Sequence, residues 1–179
     1  VGRVSRFWWI VLLIGCVALV YVLAPELFDQ PPPVEYPGTP ATVSYVFDGD
    51  TIEVRTDKGK WSVRFLGIDA PEMGQGKGPN ECGAADATNE LRRILPKGTR
   101  IHLITDKNSQ DKDRFNRLLR YVEVDGEDVG KMLIDKGLVG AWHPRSDGTP
   151  ERFDSYRKAA STAKSSKTGS WAVCPSLGR

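Results

Sequence analysis

From residue 41 onward the chain keeps repeating one pattern: a short β-branched or alternating run, then a tight turn. Runs 42–46, 51–56 and 61–68 are separated first by Asp48-Gly49 and then by residues 57–60, DKGK. Asp-Gly between apolar runs is a strong short-range hairpin signal. Three consecutive strands joined this way predict an antiparallel meander, which limits the chain to a fold built around a small sheet.

The remaining pattern narrows that fold. Residues 70–83, APEMGQGKGPNECG, lack periodicity and read as a loop. Gly76-Lys77-Gly78 has the wrong spacing for a phosphate loop, and no Ser or Thr follows the lysine. Residues 84–95 are helical in composition and are stopped by Pro96 and Gly98. Strands are expected at 100–105 and 117–124, around a polar loop at 106–113. Asp125-Gly126 turns the chain, Asp128 caps a helix through Lys136, and Gly137 ends it in the left-handed position. A last helix covers about 151–164. Five strands, one helix after the third and two after the fifth predict a mainly β protein with helices (α+β), a five-stranded OB-type barrel with about three helices.

An N-terminal appendage precedes this domain. Residues 7–24, FWWIVLLIGCVALVYVLA, carry no charge and span roughly 27 Å as a helix at about 1.5 Å per residue. That matches a hydrocarbon core of about 30 Å. Arg3 and Arg6 precede the run and Glu26 and Asp29 follow it, so the positive-inside rule puts residues 1–6 in the cytoplasm and the bulk outside. An uncleaved single-pass anchor is the expectation. A cleaved signal peptide is disfavoured by the length of the run and by Pro25. A lipid-anchored form suggested by LIGC (13–16) is disfavoured by the apolar residues that continue past Cys16. Residues 25–40 contain Pro31-Pro32-Pro33, Pro37-Gly38 and Pro40, a stiff polyproline spacer. The folded domain is expected over 41–179. The leading valine reads as an alternative bacterial start codon.

Charge says little about partners. The chain has 25 basic and 23 acidic residues, a net +2, too mild to announce a nucleic-acid binder by field alone. Arg92, Arg93 and Lys97 read as a solvated helix face. Of three cysteines, Cys16 lies in the apolar run, leaving Cys82 and Cys174 to form a disulfide in an oxidising compartment or to stand as two free thiols. One cysteine pair and only His102 and His143 leave little material for a Cys/His zinc site.

The chemistry-bearing residues sit at strand ends. Asp50 opens the second strand, Arg64 lies in the third, and Asp69 and Glu72 follow it in GIDAPE. Asp113 and Arg117 stand before the last strand. Hard carboxylate oxygens from Asp50 and Asp69 suit Ca²⁺, with backbone carbonyls and waters completing its shell. Two guanidiniums grip a phosphodiester through paired N–H donors and neutralise charge growing on it. Glu72 is left to orient or deprotonate water for in-line attack. Each residue also has an ordinary structural reading, as a turn former or a solvent-face charge; their co-occurrence carries the argument.

VFDGDTIEV (46–54), VRFLGIDAPE (63–72) and DRFNRLLRYV (113–122), in this order, resemble the thermonuclease, or staphylococcal nuclease-like, family over about residues 42–171. The resemblance implies an OB-fold barrel with three helices that binds Ca²⁺ and hydrolyses DNA and RNA to 3′-phosphate and 5′-hydroxyl ends. It assigns Asp50 and Asp69 as metal carboxylates, Ala70 as a backbone-carbonyl ligand, and Arg64, Glu72 and Arg117 as the catalytic trio. Arg114, Trp142 and His143 are expected on the substrate, Trp142 either stacking on a base or filling the core.

The chain departs from the family at several positions. Ala70 replaces a common threonine, and Phe115 stands where a tyrosine hydroxyl often meets the terminal phosphate. Asn116 replaces a glycine, and Trp142-His143 falls where nucleotide-packing tyrosines are usual. The expected protein is a monomer with no obligate protein partner, held at the cell membrane with its nuclease domain outside; a secreted form is the alternative. Two rival readings are a catalytically inactive OB-fold nucleic-acid-binding module on the cell surface and a surface protein with no nucleic-acid role.

Overall fold

The computed structural model describes residues 37–74 and 78–178. The expected cytoplasmic stub, the apolar anchor at 7–24, most of the proline spacer and Gly76-Lys77 lie outside the described residues. Among those described, no helix is long and apolar enough to cross a membrane.

Strands β1 (Thr39–Val46), β2 (Thr51–Thr56) and β3 (Gly59–Phe65) form the meander that the turn spacing predicts. Strand β5 (Arg100–Ile104) pairs antiparallel with β1, and β6 (Leu118–Val124) pairs antiparallel with β5. Closure comes from a parallel pairing of β3 with β6, Val63↔Leu118 through Phe65↔Arg120. The result is a closed five-stranded barrel, so no edge of the main sheet is left long and unpaired. Its interior is filled by inward alternates such as Val43, Ile52, Val54, Val63, Ile101, Leu103 and Val122, each no more than 2% exposed.

Two boundaries differ from the sequence reading. β1 begins at Thr39 rather than residue 42, because Thr39 and Pro40 already pair with Leu103 and His102. The third strand does not run on to residue 68. Gly67 adopts φ +76, breaking the strand, and Leu66 N–H turns to the Arg120 carbonyl. The chain then makes a two-residue strand, β4 (Ile68–Asp69), whose partner β8 (Gly140–Ala141) the sequence did not announce.

Three helices decorate the barrel. Helix α1 (Ala84–Ile94) buries Ala84, Ala87, Thr88 and Leu91. After the two-residue β7 (Glu127–Asp128), Asp128 caps α2 (Val129–Asp135) by accepting from Lys131 N–H. Gly137 closes α2 at φ +66, donating to Ile134 O while Leu138 N–H donates to Leu133 O, the two bonds of a Schellman motif. Helix α3 (Phe153–Ser165) is fastened by Arg152, which bonds Asp128 and Glu123, and by the Tyr156 hydroxyl on Asp128. A short 3-10 turn (Gly169–Ala172) leads into the tail.

Candidate active site

The turn between β1 and β2 delivers Asp50. Asp48 Oδ1 accepts the Asp50 N–H at 3.0 Å, the local bond expected of a turn aspartate. Gly49 is not there for a left-handed φ. A Cβ at that position would meet the Ala70 and Ala87 Cβ atoms at 2.7 Å, so glycine lets the turn press against the β4 loop and α1. Asp50 is therefore only 5% exposed. Its Oδ2 accepts the Ala70 N–H at 2.7 Å, and its Oδ1 accepts the Thr51 hydroxyl at 3.0 Å. Burial pushes its carboxyl up to about 6, against the lowering effect of Arg64.

Arg64 bridges two acids from separate turns. Its guanidinium lies 3.1 Å from Asp50 Oδ2 and 2.6 Å from Asp69 Oδ1, and Nη1 also donates to the Phe65 and Ile68 carbonyls. Those two carbonyls are offered because the chain leaves β3 and re-forms as β4. Asp69 is 4% exposed. The C-terminal tail backs it closely: a Cβ on Gly178 would stand 2.6 Å from Asp69 O and 2.7 Å from its Oδ2.

Arg117 is held differently. It follows a tight loop in which Asp113 Oδ1 accepts the N–H groups of Phe115 and Arg117, while Asp113 Oδ2 accepts Arg117 Nε at 2.7 Å. Burial opposes ionisation of Asp113, but the Arg117 N–H and guanidinium outweigh it and hold the carboxyl below the usual range. Asn116 supplies φ +63, the left-handed residue of this loop. Arg117 Nη1 reaches the Thr51 hydroxyl at 3.4 Å, linking this loop to the Asp50 turn. The exposed Phe115 ring lies under both Arg114 and Arg117, 4.8 and 5.4 Å from their guanidinium carbons.

Glu72 sits at the rim on the loop after β4. Desolvation, then the charges of Asp50 and Asp69, hold its carboxyl above the usual glutamate range. Its backbone is gripped reciprocally by Glu81: Glu72 N–H donates to Glu81 Oε2 at 2.9 Å, and Glu81 N–H donates to Glu72 O at 3.0 Å. The next residue, Cys82, forms a disulfide with Cys174, with Cα atoms 5.6 Å apart. The bridge ties the rim loop to the tail that backs Asp69.

Asp50, Arg64, Asp69, Glu72, Arg114 and Arg117 all line one cavity of about 580 Å³, together with Trp142 and His143. Trp142 is half-buried and its backbone N–H donates to Gly67 O. The His143 ring packs edge-on against Phe153 at 4.4 Å, and Nδ1 lies 3.0 Å from the Pro144 carbonyl. Ala70 contributes its N–H to Asp50 and is itself buried. Sequence reasoning gave no role to Thr51 or Glu81, because a hydroxyl and a loop glutamate carry no spacing signal. The caging of Arg117 by Asp113 was discernible in their i,i+4 spacing.

The acid pair fits a hard divalent cation. Two buried carboxylates from different turns converge on one guanidinium, and oxygen-only donors favour Ca²⁺ over softer metals. Among the described residues no group of three or more His, Cys, Asp or Glu side chains is gathered for a metal. Carbonyls, water and substrate oxygens would have to complete the shell.

A closed five-stranded barrel decorated by helices, with paired arginines and buried acids at one cavity, has the architecture of an OB-fold protein. The staphylococcal nuclease homologue family matches residues 62–173, and the chain belongs to that family. It is 30% identical over 159 residues to the thermonuclease of Staphylococcus hyicus, covering 85% of this chain and 92% of that one. It is 34% identical over 133 residues to endonuclease YncB and to the SPbeta prophage-derived endonuclease YokF of Bacillus subtilis (strain 168). Each match takes in 73% of this chain but only 60% of YncB and 43% of YokF, so the chain spans about half the length of those two relatives.

Proposed function

We propose that this chain is a Ca²⁺-dependent endonuclease that hydrolyses DNA and RNA phosphodiester bonds, leaving 3′-phosphate and 5′-hydroxyl ends. The observation that carries the reading is the convergence of Arg64, Arg117, Glu72, Asp50 and Asp69 on one cavity. The endonuclease and thermonuclease names of its relatives support it.

Two planar guanidiniums at the cavity suit the non-bridging oxygens of one phosphodiester and offset the charge that accumulates as phosphorus becomes five-coordinate. Glu72, at the rim and tied by its backbone to Glu81, takes a proton from the attacking water. The water oxygen bonds to phosphorus, the P–O5′ bond breaks, and the departing 5′-oxygen takes up a proton from solvent. Asp50 and Asp69, with the Ala70 carbonyl, would hold the calcium ion, which supplies Lewis-acid polarisation of a phosphate oxygen when bound. Arg114, Trp142 and His143 would contact the flanking nucleotide. The apolar run at 7–24 would tether the domain to the outer face of a bacterial membrane.

The deciding experiment incubates the full chain with single-stranded DNA and RNA in calcium or in EGTA. Calcium-dependent cleavage, lost in Glu72→Ala and Arg117→Ala, is expected. Binding without cleavage by the unmutated chain would favour the inactive binding module instead.

A further inference from the structure

Among the described residues, three of the four exposed large apolar side chains are aromatic: Tyr45 at 54%, Phe47 at 42% and Phe115 at 65%. Phe115 belongs to the cavity already described. Tyr45 and Phe47 do not line it. Their rings meet edge to face on the barrel's outer surface, with centroids 5.1 Å apart. A register shift between Val43 and Tyr45 in the β1–β2 pairing re-aims the strand, while Val46 between the two rings stays buried.

Cations stand beside this pair. Arg92 on α1 reaches the Val46 carbonyl, 3.4 Å away, which sets its guanidinium at the residue between the two rings. Arg92 is exposed and has no carboxylate partner among the described residues, whereas its neighbour Arg93 is engaged by Glu90 at 2.7 Å. Lys97, also exposed and without a carboxylate partner there, precedes Gly98, whose N–H donates to the Val43 carbonyl on the same strand. Glu53, which faces Tyr45 in the ladder, is neutralised by Lys60 at 2.9 Å. The helix face that reads from sequence as merely solvated thus borders an aromatic pair.

The patch is continuous with the catalytic cavity. Phe47 N–H donates to the Thr51 carbonyl, the Thr51 hydroxyl is in reach of Arg117, and Asp48, the next residue, lines the cavity. We infer that Tyr45, Phe47 and Arg92 form an accessory strip that stacks unpaired bases and grips a phosphate of single-stranded nucleic acid beyond the scissile bond. Exposed rings offer π-faces to splayed bases, which a stacked duplex cannot present, and a guanidinium with only a long bond to a carbonyl and no carboxylate partner among the described residues has donors left for phosphate. The inference rests on the nuclease reading for its orientation toward the cavity.

The test measures fluorescence anisotropy of a labelled dT20 and a 20-base-pair duplex with the full chain in EDTA, where the proposed cleavage is halted. A Tyr45→Ser/Phe47→Ser double variant is expected to weaken dT20 binding by about 10-fold or more and duplex binding less, since base stacking is worth roughly 5- to 150-fold per base. Arg92→Gln is expected to reduce the slope of log affinity against log salt by about 0.7. Cleavage of a thymidine dinucleotide, too short to reach the strip, should be unchanged in calcium. All three side chains are exposed, so unchanged thermal unfolding confirms that the variants fold. Unaltered dT20 affinity in the double variant, or no dT20 binding by the unmutated chain, overturns the inference. So does lost binding to vesicles containing phosphatidylserine with dT20 binding intact, which would make the patch a membrane contact. If dT20 binding depends on the strip but the unmutated chain cuts nothing, the strip stands and the nuclease reading fails.

Discussion

Arg64 and Arg117 line the same cavity and belong to different mechanical regimes. Arg64 grows from a barrel strand, its side chain 12% exposed, and two carboxylates and two carbonyls hold its guanidinium. Arg117 grows from a loop, 29% exposed, and its firmest bond is through Nε to Asp113, with only a long contact from Nη1 to Thr51. One arginine is part of the fold's internal electrostatics. The other is held by its stem while its outer nitrogens stay open to a ligand. Stability and catalysis are therefore expected to separate between them.

The largest effect should come from Arg64→Ala. It removes the shared counter-charge of two buried acids, and breaking such a pair costs about 3–5 kcal/mol. Urea unfolding in EGTA should register that loss together with at least a roughly 10³-fold fall in cleavage. A variant as stable as the parent would show that Arg64 is no more structural than Arg117.

Next is the disulfide, which tests whether the Arg64 side is rigid by itself or through the tail packed on Asp69. Closing a loop of sequence separation 92 is worth about 4–5 kcal/mol in the chain-entropy model. Cys82→Ser/Cys174→Ser should lower the urea midpoint accordingly and reduce cleavage more than Phe115→Ala does. Alkylation of both Cys82 and Cys174 in the unreduced protein would remove the premise.

Arg117→Ala should cost about 10²–10³ in cleavage while shifting stability by no more than about 1 kcal/mol. Asp113→Asn should give a smaller fall of the same kind, because it loosens the stem and leaves the guanidinium. Were Arg117→Ala to destabilise as much as Arg64→Ala, the contrast between the two would vanish.

The smallest effect concerns the loop that positions Asp113. Asp106 accepts from Glu151 N–H, the Tyr121 hydroxyl, Asn108 N–H and the Ser109 hydroxyl, fixing that loop to the start of α3. Burial opposes its ionisation, but these bonds prevail and keep its carboxyl below the ordinary 3.8. A lowered folded-state value means the stabilisation is complete above the unfolded pKa and disappears as pH falls through the folded one. Asp106→Asn should therefore lose on the order of 1 kcal/mol near neutrality, with a flatter acid limb below about pH 4. An acid limb identical to the parent's would assign the acid sensitivity to other carboxylates.

Much of this was legible in the letters, for local reasons. Asp125-Gly126 turns with φ +51 and +81, Asp128 caps α2 and Gly137 ends it, because caps and turns depend on a few adjacent residues. The left-handed φ of Asn116 was hinted at only through the resemblance, in which it replaces a glycine. The break at Gly67 was missed, since a glycine inside an apolar run looks like strand until a distant partner, β8, competes for the chain. Gly49 was read as a turn glycine, yet its necessity comes from Ala70 and Ala87, residues 21 and 38 positions away.

Sequence alone determined the strand and helix alphabet, the turns and the identity of the charged residues, because each follows from neighbouring side chains and backbone preference. Tertiary structure alone decided that β3 closes on β6, that Arg64 spans Asp50 and Asp69, and that Glu81 and the C-terminal tail brace the acids. The β3–β6 pairing and the packing of Gly178 on Asp69 join segments tens of residues apart. Long-range packing energy selects them, and no local pattern encodes it.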